Sequence, residues 1–205
     1  MTISKVFQNS VRTYYSLLKR REQGRYLVND AILITRAFRF ATERHSTQRR
    51  KGEAEEPYVN HLAEVADLVA EATQGSDCNL IVAALLHDTI EDTPTKSSEL
   101  SSLFNDDIAH LVEEVTDDKT LPKEKRKETQ VLNAHKKSTR AKLLKIADKT
   151  SNLRSIATSP PSNWDTNRKK EYIKWAVNVF EGLQGVSPWL ETQFNEALEK
   201  AQKTI

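Results

Sequence analysis

Apolar residues recur along most of the chain at the three- and four-residue spacing of amphipathic helices. Ten such stretches follow one another, at 4–20, 29–45, 61–72, 77–92, 100–104, 108–115, 123–131, 138–156, 165–183 and 188–203. Capping residues, glycines and prolines separate them, and neither strand pairs nor internal repeats are evident. The pattern predicts an all-α fold, a helical bundle of about nine or ten helices in a single domain.

One stretch does not fit an ordinary buried helix. The run 80–86 is entirely apolar, and His87, Asp88, Glu91 and Asp92 follow directly. Burying these ionisable groups without partners is unfavourable. In a continuous helix, His87 lies one turn before Glu91 and Asp88 one turn before Asp92, so all four share adjoining parts of one surface. A bound metal ion would resolve the electrostatic conflict.

Composition narrows the class of protein. With 205 residues, 38% apolar and 29% charged, the chain is long enough for one domain with a substantial core. The net charge is only +2, and the basic residues form short clusters at 49–51, 123–127, 136–137 and 168–170. These clusters favour pockets for small anions over a nucleic-acid surface. No stretch reaches the roughly 20 apolar residues of a membrane span, and no signal-like apolar core is present, so a cytoplasmic location is expected.

Ligand chemistry restricts the metal. Cys78 is the only cysteine, so any metal site must use histidine and carboxylate. Imidazole and carboxylate together suit zinc, manganese or iron, whereas magnesium and calcium prefer oxygen alone. Adjacent residues such as His87 and Asp88 can both ligate only at a helix end or across a shallow groove. Remote candidates are His61 and Asp148.

Simpler roles exist for each candidate ligand. Asp88 could cap a turn and His87 could be a hydrogen-bonded core residue. Asp148 could form an ion pair with Lys145 or Lys149 on a solvated helix. Residue types and spacing alone do not show that the distant positions converge.

Four motifs resemble the HD-domain superfamily, and within it the (p)ppGpp-hydrolase domain of RelA/SpoT-type proteins. They are Pro57–His61, Ala83–Asp88, Thr89–Thr93 and Ala147–Arg154. Two further segments, Val112–Lys123 and Gly182–Gly185, resemble the stand-alone small alarmone hydrolases, which include the metazoan SpoT homolog. The resemblance implies an HD-type hydrolase domain over residues 27–205, preceded by an N-terminal helical extension at 1–26.

The resemblance also implies residue roles. The implied ligands of a Mn2+ ion are His61, His87, Asp88 and Asp148. Glu91 and Asp92 are the implied catalytic residues, which position and activate water. The implied substrate-binding residues are Arg50, Lys51, Tyr58, Lys123, Asn152, Arg168 and Tyr172. Simpler roles stay open for some of the substrate-binding residues. A basic loop such as the one that carries Arg50 and Lys51 is often only solvated, and Tyr172 could belong to the core.

The implied activity is manganese-dependent hydrolysis of the 3′-pyrophosphate of ppGpp or pppGpp, giving GDP or GTP and pyrophosphate. Two alternatives stay open, an HD-family phosphatase that acts on NADPH or another nucleotide, and a non-catalytic alarmone-binding sensor. The expected partner is therefore a small-molecule nucleotide, with no nucleic acid and no membrane. The sequence leaves assembly into a homo-oligomer open.

Overall fold

The structure, a computed structural model, describes residues 29–205, so the extension predicted for 1–26 lies outside the described residues. α1 covers residues 29–44. The helices that follow are α2 (Val59–Thr73), α3 (Cys78–Leu86), α4 (Thr89–Asp92), α5 (Ser97–Leu103), α6 (Asp106–Val115), α7 (Lys123–Asn133), α8 (Thr139–Thr158), α9 (Thr166–Glu181) and α10 (Pro188–Lys203). A 3-10 turn, Ala134–Lys136, follows α7. The prediction of an all-α fold is confirmed.

Local capping chemistry sets several helix starts where the sequence predicts them. The side chains of Asp77, Ser138 and Asp165 accept hydrogen bonds from the backbone N–H groups of Leu80, Ala141 and Arg168. Each cap satisfies one of the N–H groups that the first helical turn leaves without a partner. The loop predicted between α1 and α2 is also present, and two isolated β-bridges, Arg49 with Pro57 and Gly52 with Pro161, fix its course.

The helix α8 lies at the centre of the molecule, packed along α10 on one side and against α2, α3, α6 and α9 on others. It buries apolar residues such as Leu144 and Ile146, but also Lys145, Asp148 and Lys149. Buried charged groups require partners, so the middle of α8 is where a functional site is expected. Within residues 29–205, no helix is both long and apolar enough to cross a membrane.

The segment from residue 77 to 92 differs from the continuous helix that its sequence predicts. α3 ends at Leu86 and α4 begins at Thr89, with Asp88 at φ −96° and ψ −3° between them. The Thr89 hydroxyl donates to the Leu86 carbonyl at 2.6 Å and so competes with the helical hydrogen bonding at this point. His87 and Asp88 therefore lie at a helix end, the arrangement in which adjacent residues can face one ion.

Candidate metal centre and active site

The four predicted metal ligands meet although three separate parts of the chain carry them. His61 comes from the first turn of α2, His87 and Asp88 from the α3–α4 break, and Asp148 from the middle of α8. His61 Nε2 lies 3.5 Å from Asp148 Oδ1 and 3.7 Å from Asp88 Oδ2, and His87 Nε2 lies 3.1 Å from Asp88 Oδ2. Among residues 29–205, ligand atoms of His61, His87 and Asp88 lie within 4.8 Å of one another, close enough to hold one metal ion.

The hydrogen bonds of His87 leave its Nε2 atom for a ligand. The Nδ1 atom lies 2.8 Å from the Ala84 carbonyl oxygen. A carbonyl only accepts, so Nδ1 carries the hydrogen. Nε2 is buried and has no hydrogen-bond partner in the described residues, despite its proximity to Asp88. A buried nitrogen without a partner is unfavourable unless a cation occupies the space in front of it, so this atom fits a metal ligand.

His61 has the same orientation for a different reason. Its Nδ1 lies 2.8 Å from Ser151 Oγ, and Ser151 donates its only hydroxyl hydrogen to Glu64 Oε2 at 2.6 Å. Ser151 therefore accepts from His61, which places the hydrogen on Nδ1 and the lone pair on Nε2. Arg154 holds the other Glu64 oxygen at 3.0 Å. Such outer partners orient a ligating histidine and raise its basicity.

The pKa shifts of the four groups show that the site favours a bound positive charge. Burial lowers the pKa of His61. Burial also opposes protonation of His87, but Asp88 and Asp148 outweigh it and raise the pKa of His87 to about 9. Against burial, His87 lowers the pKa of Asp88, and Lys149 lowers that of Asp148. Both carboxylates are therefore ionised, and a cation that binds them competes with the proton of His87.

Neighbouring side chains hold the two carboxylates in place. Asp148 accepts hydrogen bonds from Lys149 Nζ at 2.9 Å and from Asn152 Nδ2 at 2.6 Å. Tyr58 donates its hydroxyl to Asp88 Oδ2 at 2.6 Å. The pairing of Asp148 with Lys149 agrees with the simpler role described above, but both side chains are buried, so this part of α8 is not a solvated surface.

Glu91 faces the same space from α4. Its Oε2 accepts from the Asp117 backbone N–H at 3.2 Å, and its Oε1 lies 3.8 Å from Arg126 NH1. Burial raises the pKa of the Glu91 carboxyl, and the nearby charges of Asp117 and Asp88 raise it further. A carboxyl group with a raised pKa next to a metal centre is suited to proton transfer near neutral pH.

Asp92 is more exposed than Glu91 and is held from two sides. Its carboxylate forms an ion pair with Lys119, and its backbone carbonyl accepts from Gln48 Nε2 at 3.0 Å. The Gln48 side chain also contacts the buried His45, whose Nδ1 lies 2.7 Å from Gln48 Oε1. The position of Asp92 is thereby tied to the end of α1.

A cavity of about 640 Å³ opens beside the metal centre. Asp88, Asp148, Glu91 and Asp92 line it. The predicted substrate-binding residues also line it, namely Arg50, Lys51, Tyr58, Lys123, Asn152, Arg168 and Tyr172. The structure therefore brings every predicted site residue to one place, with His61 and His87 buried beside the cavity wall.

The cavity has cationic and aromatic surfaces. Arg50 donates to Asn152 Oδ1 at 2.9 Å, which links the basic loop to the residue that holds Asp148. The Arg168 guanidinium lies 4.8 Å from the centre of the Trp164 ring. Tyr172 lies between Trp164 and Trp175, with ring centres 5.4 and 5.3 Å away, and burial raises its pKa to about 12. A cluster of aromatic rings beside cations suits a ligand with a planar base and phosphates.

The sequence does not assign a site role to several residues that line the cavity. They are Arg126, Lys145, Lys149, Trp164 and Trp175. Lys145 and Lys149 lie one turn apart on either side of Asp148, which is a usable signal, but their spacing equally fits a solvated helix face. Trp164 lies in the α8–α9 loop, where no periodicity indicates its direction.

Comparisons with known proteins agree with this geometry. The sequence profile of the HD domain matches residues 37–183. The guanosine-3′,5′-bis(diphosphate) 3′-pyrophosphohydrolase MESH1 of Xenopus tropicalis is 45% identical over 163 residues, which cover 80% of this chain and 91% of that protein. MESH1 of Homo sapiens is 42% identical over 177 residues, covering 86% and 99%.

A solved structure, described as "A metazoan ortholog of SpoT hydrolyzes ppGpp and plays a role in starvation responses", superimposes with a TM-score of 0.79 and 39% identity. The match covers 82% of this chain and 94% of that one. The chain therefore belongs to the HD-domain family and, within it, to the stand-alone group of guanosine-3′,5′-bis(diphosphate) 3′-pyrophosphohydrolases represented by these metazoan proteins.

Proposed function

We propose that the protein hydrolyses the 3′-pyrophosphate of ppGpp and pppGpp, giving GDP or GTP and pyrophosphate. The observation that carries the proposal is the grouping of two histidines and two carboxylates beside a cavity that is lined by Glu91, Asp92 and many cations. Relatives that are 42–45% identical over most of the chain are named for this reaction.

The metal of this proposal is Mn2+, bound by His61, His87, Asp88 and Asp148. HD domains use a divalent metal, and the unpartnered Nε2 of His87 supports such a ligand here. The set of two imidazoles and two carboxylates also suits zinc or iron, so the choice of manganese rests on the resemblance to RelA/SpoT-type hydrolases. When bound, the ion supplies an acidified water and offsets negative charge on the phosphate.

In this proposal Glu91 and Asp92 position the attacking water and manage its proton. The water oxygen forms a bond to the phosphorus attached to the 3′ oxygen, and the bond between that phosphorus and the 3′ oxygen breaks. Glu91 accepts the water proton and returns one to the departing 3′ oxygen. Burial raises the pKa of Glu91, which makes its carboxylate a stronger base for the water proton. Asp92, fixed by Lys119 and Gln48, orients the water.

The lining residues divide between the two parts of the substrate. Arg50, Lys51, Lys123 and Arg168 are assigned to phosphate oxygens, where guanidinium and ammonium groups supply charge-assisted hydrogen bonds. Tyr58 and Asn152 hold the carboxylates of the metal centre as well as bordering the substrate. Tyr172, with its neighbouring tryptophans, is assigned to the guanine base.

The boundaries of the hydrolase domain, 27–205, and the extension at 1–26 stay predictions, as does the cytoplasmic location. The HD-domain match at 37–183 lies within the proposed domain. Deleting residues 1–26 would test whether turnover or self-association depends on them.

A substrate panel tests the proposal. Purified protein with Mn2+ is incubated with ppGpp, pppGpp and NADPH, with a chelator control, and released pyrophosphate and orthophosphate are measured separately. We expect GDP and pyrophosphate as the products from ppGpp, and no product when the chelator is present. Release of orthophosphate from NADPH as the faster reaction would favour the alternative substrate, and tight ppGpp binding without product would favour a sensor.

Two variants separate metal binding from proton transfer. Asp148→Ala is expected to lose both bound metal and turnover. Glu91→Gln is expected to keep its metal and to lose about 10²- to 10⁴-fold in kcat, the usual contribution of a general base. Glu128→Gln, on the exposed face of α7, removes a carboxylate outside the cavity and is the matched control. Full turnover of Asp148→Ala with an empty metal site would contradict the proposal.

A further inference from the structure

The cavity has a second cationic end that the proposed roles leave largely unused. At one end, Arg50 reaches Asp148 through Asn152. At the other end, Arg126 of α7 lies 3.8 Å from Glu91, and Lys145 of α8 also lines the cavity. The cavity is therefore lined by two cations, Arg126 and Lys145, in addition to those that the proposed function uses.

Lys145 is a largely buried residue whose ammonium group has no partner among the described residues. It is 7% exposed, lies three residues before Asp148 on α8, and lines the cavity. It forms neither an ion pair nor a side-chain hydrogen bond with any residue among 29–205. The nearby acids are engaged elsewhere, because Asp117 accepts from Gln130 Nε2 and Glu91 accepts from the Asp117 N–H. The Lys145 ammonium is therefore free to bind an anionic ligand in the cavity.

Arg126 is incompletely satisfied in the same place. Its Nε atom is buried without a hydrogen-bond partner in the described residues. Its NH1 atom lies 3.8 Å from Glu91 Oε1, which is beyond hydrogen-bond distance. Arg126 and Lys145 therefore both have free N–H donors and line the same cavity. A guanidinium and an ammonium together match the several oxygens of a phosphate group.

We infer that Arg126 and Lys145 form a subsite for the distal phosphate of the pyrophosphoryl group that is cleaved. The inference rests on the proposed function, because it uses Glu91 to mark the phosphorus under attack. A pyrophosphoryl group carries a second phosphate beyond that phosphorus. We assign this second, negatively charged phosphate to the free donors of Arg126 and Lys145 beside Glu91. A subsite of this kind would favour a diphosphate over a phosphate monoester.

Binding of the two products tests the assignment. The probes are inorganic pyrophosphate and GDP, titrated calorimetrically into the manganese-loaded protein at fixed free Mn2+. We expect Lys145→Met and Arg126→Gln to weaken pyrophosphate binding about 10- to 100-fold, the loss of a charge-assisted hydrogen bond. The affinity for GDP should change less than about twofold. The conservative variant Lys145→Arg should keep most of the pyrophosphate affinity that Lys145→Met loses. Orthophosphate, which has no second phosphate, should bind all variants similarly.

Matched controls remove one positive charge from the same helices outside the cavity. They are Lys142→Met on α8 and Lys125→Met on α7, and both should bind pyrophosphate as the parent protein does. Thermal unfolding of each variant checks the fold, and Arg126, with a quarter of its side chain exposed, tolerates replacement even where Lys145 does not.

Two results would overturn the inference. One is unchanged pyrophosphate affinity in Arg126→Gln and in folded Lys145→Met. The other is weaker GDP binding with pyrophosphate unaffected, which would place the nucleotide at this end. Because these titrations need no turnover, their result is separate from the proposed function. If the parent protein does not hydrolyse ppGpp but the variants lose pyrophosphate binding as expected, the proposed reaction is refuted and the subsite is kept.

Discussion

Replacing Ser151 by alanine tests whether the hydrogen-bond chain behind His61 prepares the metal site. In the structure, Glu64 fixes the Ser151 hydroxyl, which in turn fixes the Nδ1 hydrogen of His61. Without the serine oxygen, the Nδ1 hydrogen has no acceptor within this buried site. The tautomer with its hydrogen on Nε2 then becomes competitive, since Asp148 and Asp88 lie 3.5 and 3.7 Å from that atom. A hydrogen on Nε2 blocks ligation.

The expected loss follows from the contact that is removed. His61 is 3% exposed and Ser151 1%, so solvent screens this hydrogen bond little. A buried hydrogen bond backed by a carboxylate contributes about 1.5–3 kcal/mol, which is equivalent to a loss of about 10- to 100-fold in metal affinity. Glu64 keeps its contact with Arg154, so no new unpaired charge offsets the effect.

The assay is a competition titration of Mn2+ against a chelator of known affinity, with nitrogen NMR of the histidine rings reporting the tautomer. Thr150→Val is the matched control, because its buried hydroxyl bonds only the Ile146 carbonyl within α8. Manganese affinity of Ser151→Ala within about twofold of the parent, with the His61 tautomer unchanged, would refute the reasoning.

Two further predictions concern pH and the basic loop. Since the pKa of His87 is raised to about 9 in the metal-free site, a metal ion must displace a proton below that pH. Metal affinity should therefore rise up to about tenfold per pH unit from pH 7 and level off near pH 9, and an affinity independent of pH would contradict this. Gly52→Ala places a Cβ against the backbone oxygen and side chain of Ser159. The loop that carries Arg50 and Lys51 must then shift, so KM for ppGpp should rise about tenfold with a stability loss of about 1–3 kcal/mol. Steady-state kinetics and thermal unfolding measure both effects, and an unchanged KM would contradict the expected shift of the loop.

The sequence predicts the fold to the extent that local chemistry determines it. Asp77, Ser138 and Asp165 cap their own helices, so their effect is visible within a few residues of sequence. The α3–α4 break is not visible in this way, because it depends on the Thr89 hydroxyl bonding Leu86 rather than solvent. Apolar periodicity alone continues the helix through that point.

The site is predictable for a different reason. His61 and Asp148 are 87 positions apart, and no local rule brings them within 3.5 Å of each other. Only the resemblance of complete motifs to the HD-domain family connects them. Neither local rules nor the family motifs assign a site role to Lys145. Its burial depends on how neighbouring helices cover α8, and the same lysine on an uncovered helix would be an ordinary surface residue.

The helix α7 carries Lys123, Arg126 and Lys127 to the cavity, yet none of its residues is buried. Its attachment to the rest of the molecule includes the Trp175 indole N–H, which donates to the Lys127 carbonyl at 3.2 Å, and the contact between Gln130 and Asp117. A wall with so little buried apolar area separates from the core at a much lower free energy than α8 does. Admission of a bulky, highly charged nucleotide therefore needs no disturbance of the metal ligands. We expect α7 to open and close over the cavity more readily than the helices that carry the metal ligands.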